Sequence, residues 1–176
     1  DDIFEKYIDD AGMTWKMQSK LGKEQEADRD KLRARAKEVA NKQKANYVEG
    51  RLGLIIDGTG KDYDNITGKA QKLRLLGYDI HMIFVNTSLD IALKRNAERK
   101  RTLRPDIATK SWKSVQSNMG KFSQFFRQGF ILVDNNVAGE DIMAPVIKQI
   151  RNMANAKVKN TIGKQWIAHQ LELKKR

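Results

Sequence analysis

Asp57-Gly58-Thr59-Gly60-Lys61 sets a carboxylate, a hydroxyl and an ammonium side by side, spaced by glycines, at the end of the apolar run Leu52 to Ile56. The first chemistry to test is the nucleotide-cradling loop G-x-x-x-x-G-K-[ST], whose backbone N–H groups wrap phosphates while a hydroxyl reaches Mg²⁺. The stretch fails that test. Gly60-Lys61 supplies the end of the pattern, but Ile55 stands where the first glycine belongs and Asp62 where the hydroxyl belongs. No second candidate occurs in the chain. The other concentration of charge is the basic segment RNAERKRTLRPD, with Arg99, Arg101 and Arg104. Cations at a helix end interact favourably with its carboxyl terminus, so such a run also suits a merely solvated helix end. His81 and His169 are isolated and cysteine is absent, so neither a zinc site of the usual spacing nor thiolate chemistry is available.

The elements that position these residues belong to a chain of 176 residues, long enough for one domain with a real core. A net charge of +12 favours anionic partners: nucleotides, phosphorylated metabolites or nucleic acid. No apolar run approaches the ~18 residues of a membrane span, and the start, DDIFEKYIDD, is unlike a secretion signal. No membrane partner and a cytoplasmic setting are expected by default.

Ile3, Phe4, Tyr7 and Ile8 have helical spacing behind Asp1-Asp2. From Gly22 to about Asn46 runs a charge-dense helix with a thin apolar stripe of Leu32, Ala36, Val39, Ala40 and Tyr47, read as a solvated surface helix or as a nucleic-acid-binding arm. Leu52 to Asp57 reads as a buried strand of a parallel sheet. A helix is expected from Asn65 to Leu76, stopped by Gly77, and a second strand from Tyr78 to Val85. Ser88 caps another helix, SLDIALKRNAERK, and Pro105 breaks the pattern after it. Ile107 to about Gln128 is helical, Phe130 to Val133 is a third strand, and helices from about 143 to 155 and 161 to 174 close the chain. Strands alternating with helices predict an α/β fold with a parallel sheet flanked by helices, in a single domain with a basic helical insertion at about 22–46. In such sheets ligands bind beyond the carboxyl ends of the strands, here Asp57 to Lys61, Asn86-Thr87 and Asp134-Asn135.

The segment LGLIIDGTGKDYDNITGKAQKLRLLGYDIHMIFV resembles the zeta-toxin-like kinases, with an apolar strand, an acidic residue, G-T-G-[RK], a helix ending L-x-x-x-G-Y and a further strand. The likeness runs from about Asp1 to Asn136. It implies a P-loop-kinase-like α/β fold and an ATP- and Mg²⁺-dependent transfer of the γ-phosphoryl group to a hydroxyl of a small molecule; several such kinases act on UDP-N-acetylglucosamine. On that resemblance Asp57 sits beside the Mg²⁺ and the phosphoryl group, while Gly58, Thr59 and Lys61 face the acceptor. Arg99 and Arg104, with Arg101 as competitor, match the lid arginines that hold equatorial phosphate oxygens. Asp2, in Asp2-Ile3-Phe4, matches the general base, with Asp1 in its place if the register slips and a plain acidic helix start as the alternative. Asn135 matches the loop presented to adenine. No metal ligand is assigned.

The resemblance departs at the phosphate loop. The family's first βα unit, about 30 to 40 residues long, precedes the position of Asp1, so a longer protein is expected to supply it and this chain alone is expected to be inactive. In that case the sheet loses its central strand and exposes unpaired edges. The basic insertion and the terminal helix pair lack counterparts in the family pattern and suit an unidentified protein partner. The competing expectation is a non-catalytic nucleic-acid-binding or assembly protein on a kinase scaffold.

Overall fold

A computed structural model describes residues 2–13, 23–99, 102–137 and 140–175. In order along the chain they form α1 (Asp2–Asp10), α2 (Lys23–Glu49), α3 (Tyr63–Leu75), β1 (Met82–Asn86), α4 (Leu89–Glu98), α5 (Pro105–Phe126), a 3₁₀ turn (Arg127–Gly129), β2 (Phe130–Asp134), α6 (Glu140–Ala154) and α7 (Thr161–Leu173). The fold is mixed α/β and mostly helical, with a two-stranded parallel sheet. Among the described residues no helix is long and apolar enough to cross a membrane.

The chain forms two compact units, Asp1–Gly58 with Leu93–Ala108, and Thr59–Ala92 with Thr109–Arg176. In the first, the helical spacing of α1 buries Phe4 and Ile8 against Ala36 of α2, with Ile3, Tyr7, Met13 and Leu32 around them. The guanidinium groups of Arg33 and Arg35 lie over the rings of Phe4 and Tyr7, at 5.3 and 5.1 Å, so these cations also cover apolar surface. The expected stripe on α2 is narrower than its sequence suggests: Ala40 and Tyr47 are exposed, and the guanidinium-bearing Arg29 is buried in their stead.

In the second unit, Ala70, Phe84, Phe122 and Phe126 form the core. Tyr63 packs on Phe122 with ring centroids 5.2 Å apart, and Phe84 on Phe130 at 5.9 Å. Parallel strands need a long crossover, which α4 and α5 supply between β1 and β2. The register pairs Phe84 with Leu132 and Val85 with Val133. Laterally paired residues of a parallel ladder project to the same face, yet Phe84 is buried while Leu132 is exposed, and Val133 is buried while Val85 is exposed. Each face of the ribbon is therefore covered over one strand only.

Three expectations need correction. Leu52 to Asp57 is not a strand: it is irregular, and Ile55 is 100% exposed. A short apolar run becomes a strand only where a neighbouring edge takes its N–H and C=O groups, and none does so among the described residues. The second strand starts at Met82 rather than Tyr78. Gly77 turns the chain with φ of 103°, and both Asp79 carboxylate oxygens accept backbone N–H groups, from Lys159 at 2.6 Å and Asn160 at 3.0 Å, so the residues ahead of Met82 are held in a loop. Pro105 opens α5 rather than lying outside a helix, since a first helical position needs no N–H donor.

Helix ends follow local chemistry. The Asp62 carboxylate accepts the Asn65 N–H at 3.0 Å and starts α3. At its other end the N–H groups of Gly77 and Tyr78 donate to Arg74 and Leu73 carbonyls, a Schellman-type stop. A Cβ at Gly77 would also lie 2.7 Å from the Gly163 nitrogen, so α7 approaches too closely for any side chain. Asn160 caps α7 through its side-chain oxygen to the Ile162 N–H, while its amide nitrogen donates to the Arg74 and Tyr78 carbonyls.

Candidate functional site

Within the second unit, the Gly60-Lys61 peptide is held by a polar side chain. Asn118 of α5 is buried, and its amide nitrogen donates to the carbonyls of Gly60 at 3.2 Å and Lys61 at 3.0 Å. Gly60 has φ of 74°, in the left-handed region that favours glycine, and lies over Val115, Phe122 and Phe84. The peptide around Gly60 and Lys61 is thereby fixed, while the Lys61 side chain stays exposed.

The carboxyl ends of the strands form a polar cluster on the same helix. The Trp112 indole N–H donates to the Thr87 carbonyl at 2.8 Å, and Gln116 donates to the Asn86 side-chain oxygen at 2.7 Å. The Asn135 N–H donates to the Asn86 carbonyl at 2.8 Å, and the Asn136 side-chain oxygen accepts the Ser88 N–H at 2.6 Å. Trp112 and Gln116 are four residues apart, and Val115, Asn118 and Phe122 follow the neighbouring helical row. α5 therefore holds the strand ends through Trp112 and Gln116 and the Gly60-Lys61 peptide through Asn118, which, two residues beyond Gln116, projects from another side of the helix.

The structure thus attaches the Gly60-Lys61 peptide and the strand-end loops of Asn86 and Asn135 to one helix, within one unit. Thr59 is exposed just ahead of that peptide. Asp57 and Gly58 belong to the other unit and are exposed, and Asp57 enters no ion pair among the described residues. Asp2 is the exposed first residue of α1, where a carboxylate suits the positive end of the helix. Arg101, like Asp1, lies outside the described residues.

Arg99 is exposed, and Arg104 is engaged. Its Nε and Nη2 donate to the two carboxylate oxygens of Asp106, at 3.0 and 2.6 Å, in a bidentate pair. The hydrogen bond from Arg104 holds the Asp106 carboxyl below the usual aspartate range, and the same bond raises the Arg104 guanidinium. A group with a depressed pKa keeps its charge, and the pair, until the pH falls through that lowered value. The pair occupies two of the five guanidinium N–H donors and leaves those of Nη1 open to a further anion. The turn before it is clamped by Asn96, whose side chain donates to the Leu103 carbonyl at 2.8 Å and accepts the Leu103 N–H at 3.0 Å.

Trp112, Gln116, Asn118 and Asn136 are the site residues that sequence reasoning missed. Asn118 had a signal: a short amide in an otherwise apolar helical row, between Val115 and Phe122. Asp106 had one too, as the carboxylate two residues beyond Arg104.

Among the described residues no cluster of three or more His, Asp or Glu side chains could hold a metal ion. Asp57 alone offers Mg²⁺ one carboxylate, which suits an ion that keeps several waters and takes other ligands from phosphates. ATP phosphates find no glycine-rich cradle with its lysine and hydroxyl in this sequence, so the residues present do not fit a bound triphosphate. No family model, no curated protein and no solved structure matches the chain.

Proposed function

We propose that the chain binds the acceptor of an ATP- and Mg²⁺-dependent phosphoryl transfer of the zeta-toxin-like, P-loop-kinase type. The acceptor is a small hydroxyl-bearing anion such as a sugar nucleotide or a nucleotide-like molecule, held beyond the carboxyl ends of β1 and β2. The observation that carries this reading is the buried Asn118, which fixes the Gly60-Lys61 peptide on the same helix that holds the strand ends through Trp112 and Gln116. Polar groups at the carboxyl end of a parallel sheet are where such folds bind ligands.

Each residue has a definable part. The Lys61 ammonium pairs with the acceptor's phosphate, and the Thr59 hydroxyl accepts or donates a hydrogen bond to its sugar. Asn135 orients a base by its amide. The roles that the resemblance implies for Asp2, Asp57, Arg99 and Arg104 belong to the chemical step. The triphosphate has no cradle on these residues.

Acceptor binding is the direct test. Titration with UDP-N-acetylglucosamine, followed by amide and indole NMR signals, is expected to shift Lys61, Asn86, Asn135 and the Trp112 indole saturably, and Lys61→Ala is expected to weaken the binding. If sugar nucleotides and nucleotides all leave those signals unmoved, the reading is wrong.

A second reading, a nucleic-acid-binding or assembly protein, is favoured by Lys31, Arg33, Arg35, Lys37 and Lys42, all on exposed positions of α2. It requires binding to nucleic acid that weakens steeply with salt, because each neutralised phosphate releases counterions. Binding that is insensitive to charge reversal on α2 rejects it.

A further inference from the structure

At the opposite end of the sheet, Ile80 and His81 lead into β1 and Gly129 leads into β2. These residues, the end of α3, the end of α6 and the stretch before α7 line an open cavity of about 850 Å³, all within the second unit. That volume lies in the range of about 300–1,000 Å³ in which small-molecule sites occur.

We propose that this cavity is a separate ligand site for a small phosphomonoester bearing an apolar or aromatic group. Its lining combines Ile80, Met153 and Ile162, which offer apolar contact, with the cations Arg74, Lys157 and Lys159. None of the three cations has an ion-pair partner among the described residues. The Arg74 guanidinium lies 4.8 Å over the Phe125 ring, which holds its plane while leaving its N–H edge to donate.

The one carboxylate in the wall, Asp79, accepts the Lys159 and Asn160 backbone N–H groups and keeps its charge, so against three cations the lining remains net positive. The His81 imidazole and the Asn152 amide add hydrogen-bonding capacity beside the cations. An apolar floor with a few converging polar and charged groups is the general form of a small-ligand site. A phosphate monoester matches the cations, and its organic part matches the floor.

Three probes separate the contributions: AMP, adenosine and inorganic phosphate, each titrated into the full chain and followed by amide NMR. AMP is expected to shift the His81, Gly129, Asn152 and Thr161 signals saturably, with adenosine and phosphate each binding about tenfold or more weakly. The doubly reversed chain, Lys157→Glu with Lys159→Glu, is expected to bind AMP at least about tenfold more weakly while keeping a native amide spectrum, since both side chains are exposed. Lys61→Ala, at the other end of the sheet, is expected to leave AMP affinity here unchanged.

Four results overturn the proposal: no saturable shift at millimolar AMP, adenosine or phosphate binding as tightly as AMP, unchanged affinity in the doubly reversed chain, or loss of these shifts in Lys61→Ala. Failure of UDP-N-acetylglucosamine to bind at the carboxyl ends of the strands leaves the cavity prediction standing, because the two titrations report on different amides.

Discussion

The segment from Leu52 to Thr59 and the loop from Gly60 to Asn65 are neighbours in sequence with opposite structural fates. The first is the more apolar, yet Ile55 is 100% exposed and Ile56 is 51% exposed. The second is polar and glycine-containing, yet Gly60 is buried, two of its carbonyls are bonded to Asn118 and Asp62 caps a helix. Apolar composition did not decide which half is ordered against the core. A donor at the right depth did, because backbone carbonyls that leave water need a partner.

The largest effect expected in breaking this contrast is Phe122→Ala. Phe122 is 0% exposed and forms the floor under Gly60, so its removal is expected to cost about 3–5 kcal/mol in urea unfolding. Asn118→Ala should come next, at about 1–3 kcal/mol, because the Gly60 and Lys61 carbonyls lose their donor. Amide exchange in that variant is expected to accelerate at Lys61 and Asp62 while the signals of residues 53 to 57 stay unchanged.

Asp62→Ala removes the cap of α3 and is expected to lower stability by about 1 kcal/mol, with Asp62→Ser largely restoring it. The smallest effect is expected from Ile55→Ser, within about 0.5 kcal/mol of the parent, as for other exposed positions without partners. A loss several times larger would mean that Leu52 to Asp57 pairs as a strand in solution, and the contrast between the two halves would collapse.

Where periodicity was strong, structure could be read from the chain directly. Ile3, Phe4, Tyr7 and Ile8 lie on one face of a helix and pack as that spacing requires. The stop at Gly77 was also legible, because a left-handed turn after a helix names its own residue. The run LGLIID was not, since a short apolar stretch states only that burial is available, and pairing depends on an edge contributed from elsewhere in the chain. The candidate site was half legible. The Asn135 loop was identifiable from the end of its strand and Lys61 was singled out beyond a strand that does not form, whereas Asn118, Gln116 and Trp112 act across 25 to 58 positions of sequence, where local pattern carries no information.

Asn160 bonds to the tail of α3 and to the head of α7 at once. Fraying at either terminus strips the same amide of half its bonds, so opening of one helix end is expected to weaken the other and to speed proton exchange more than eighty positions away.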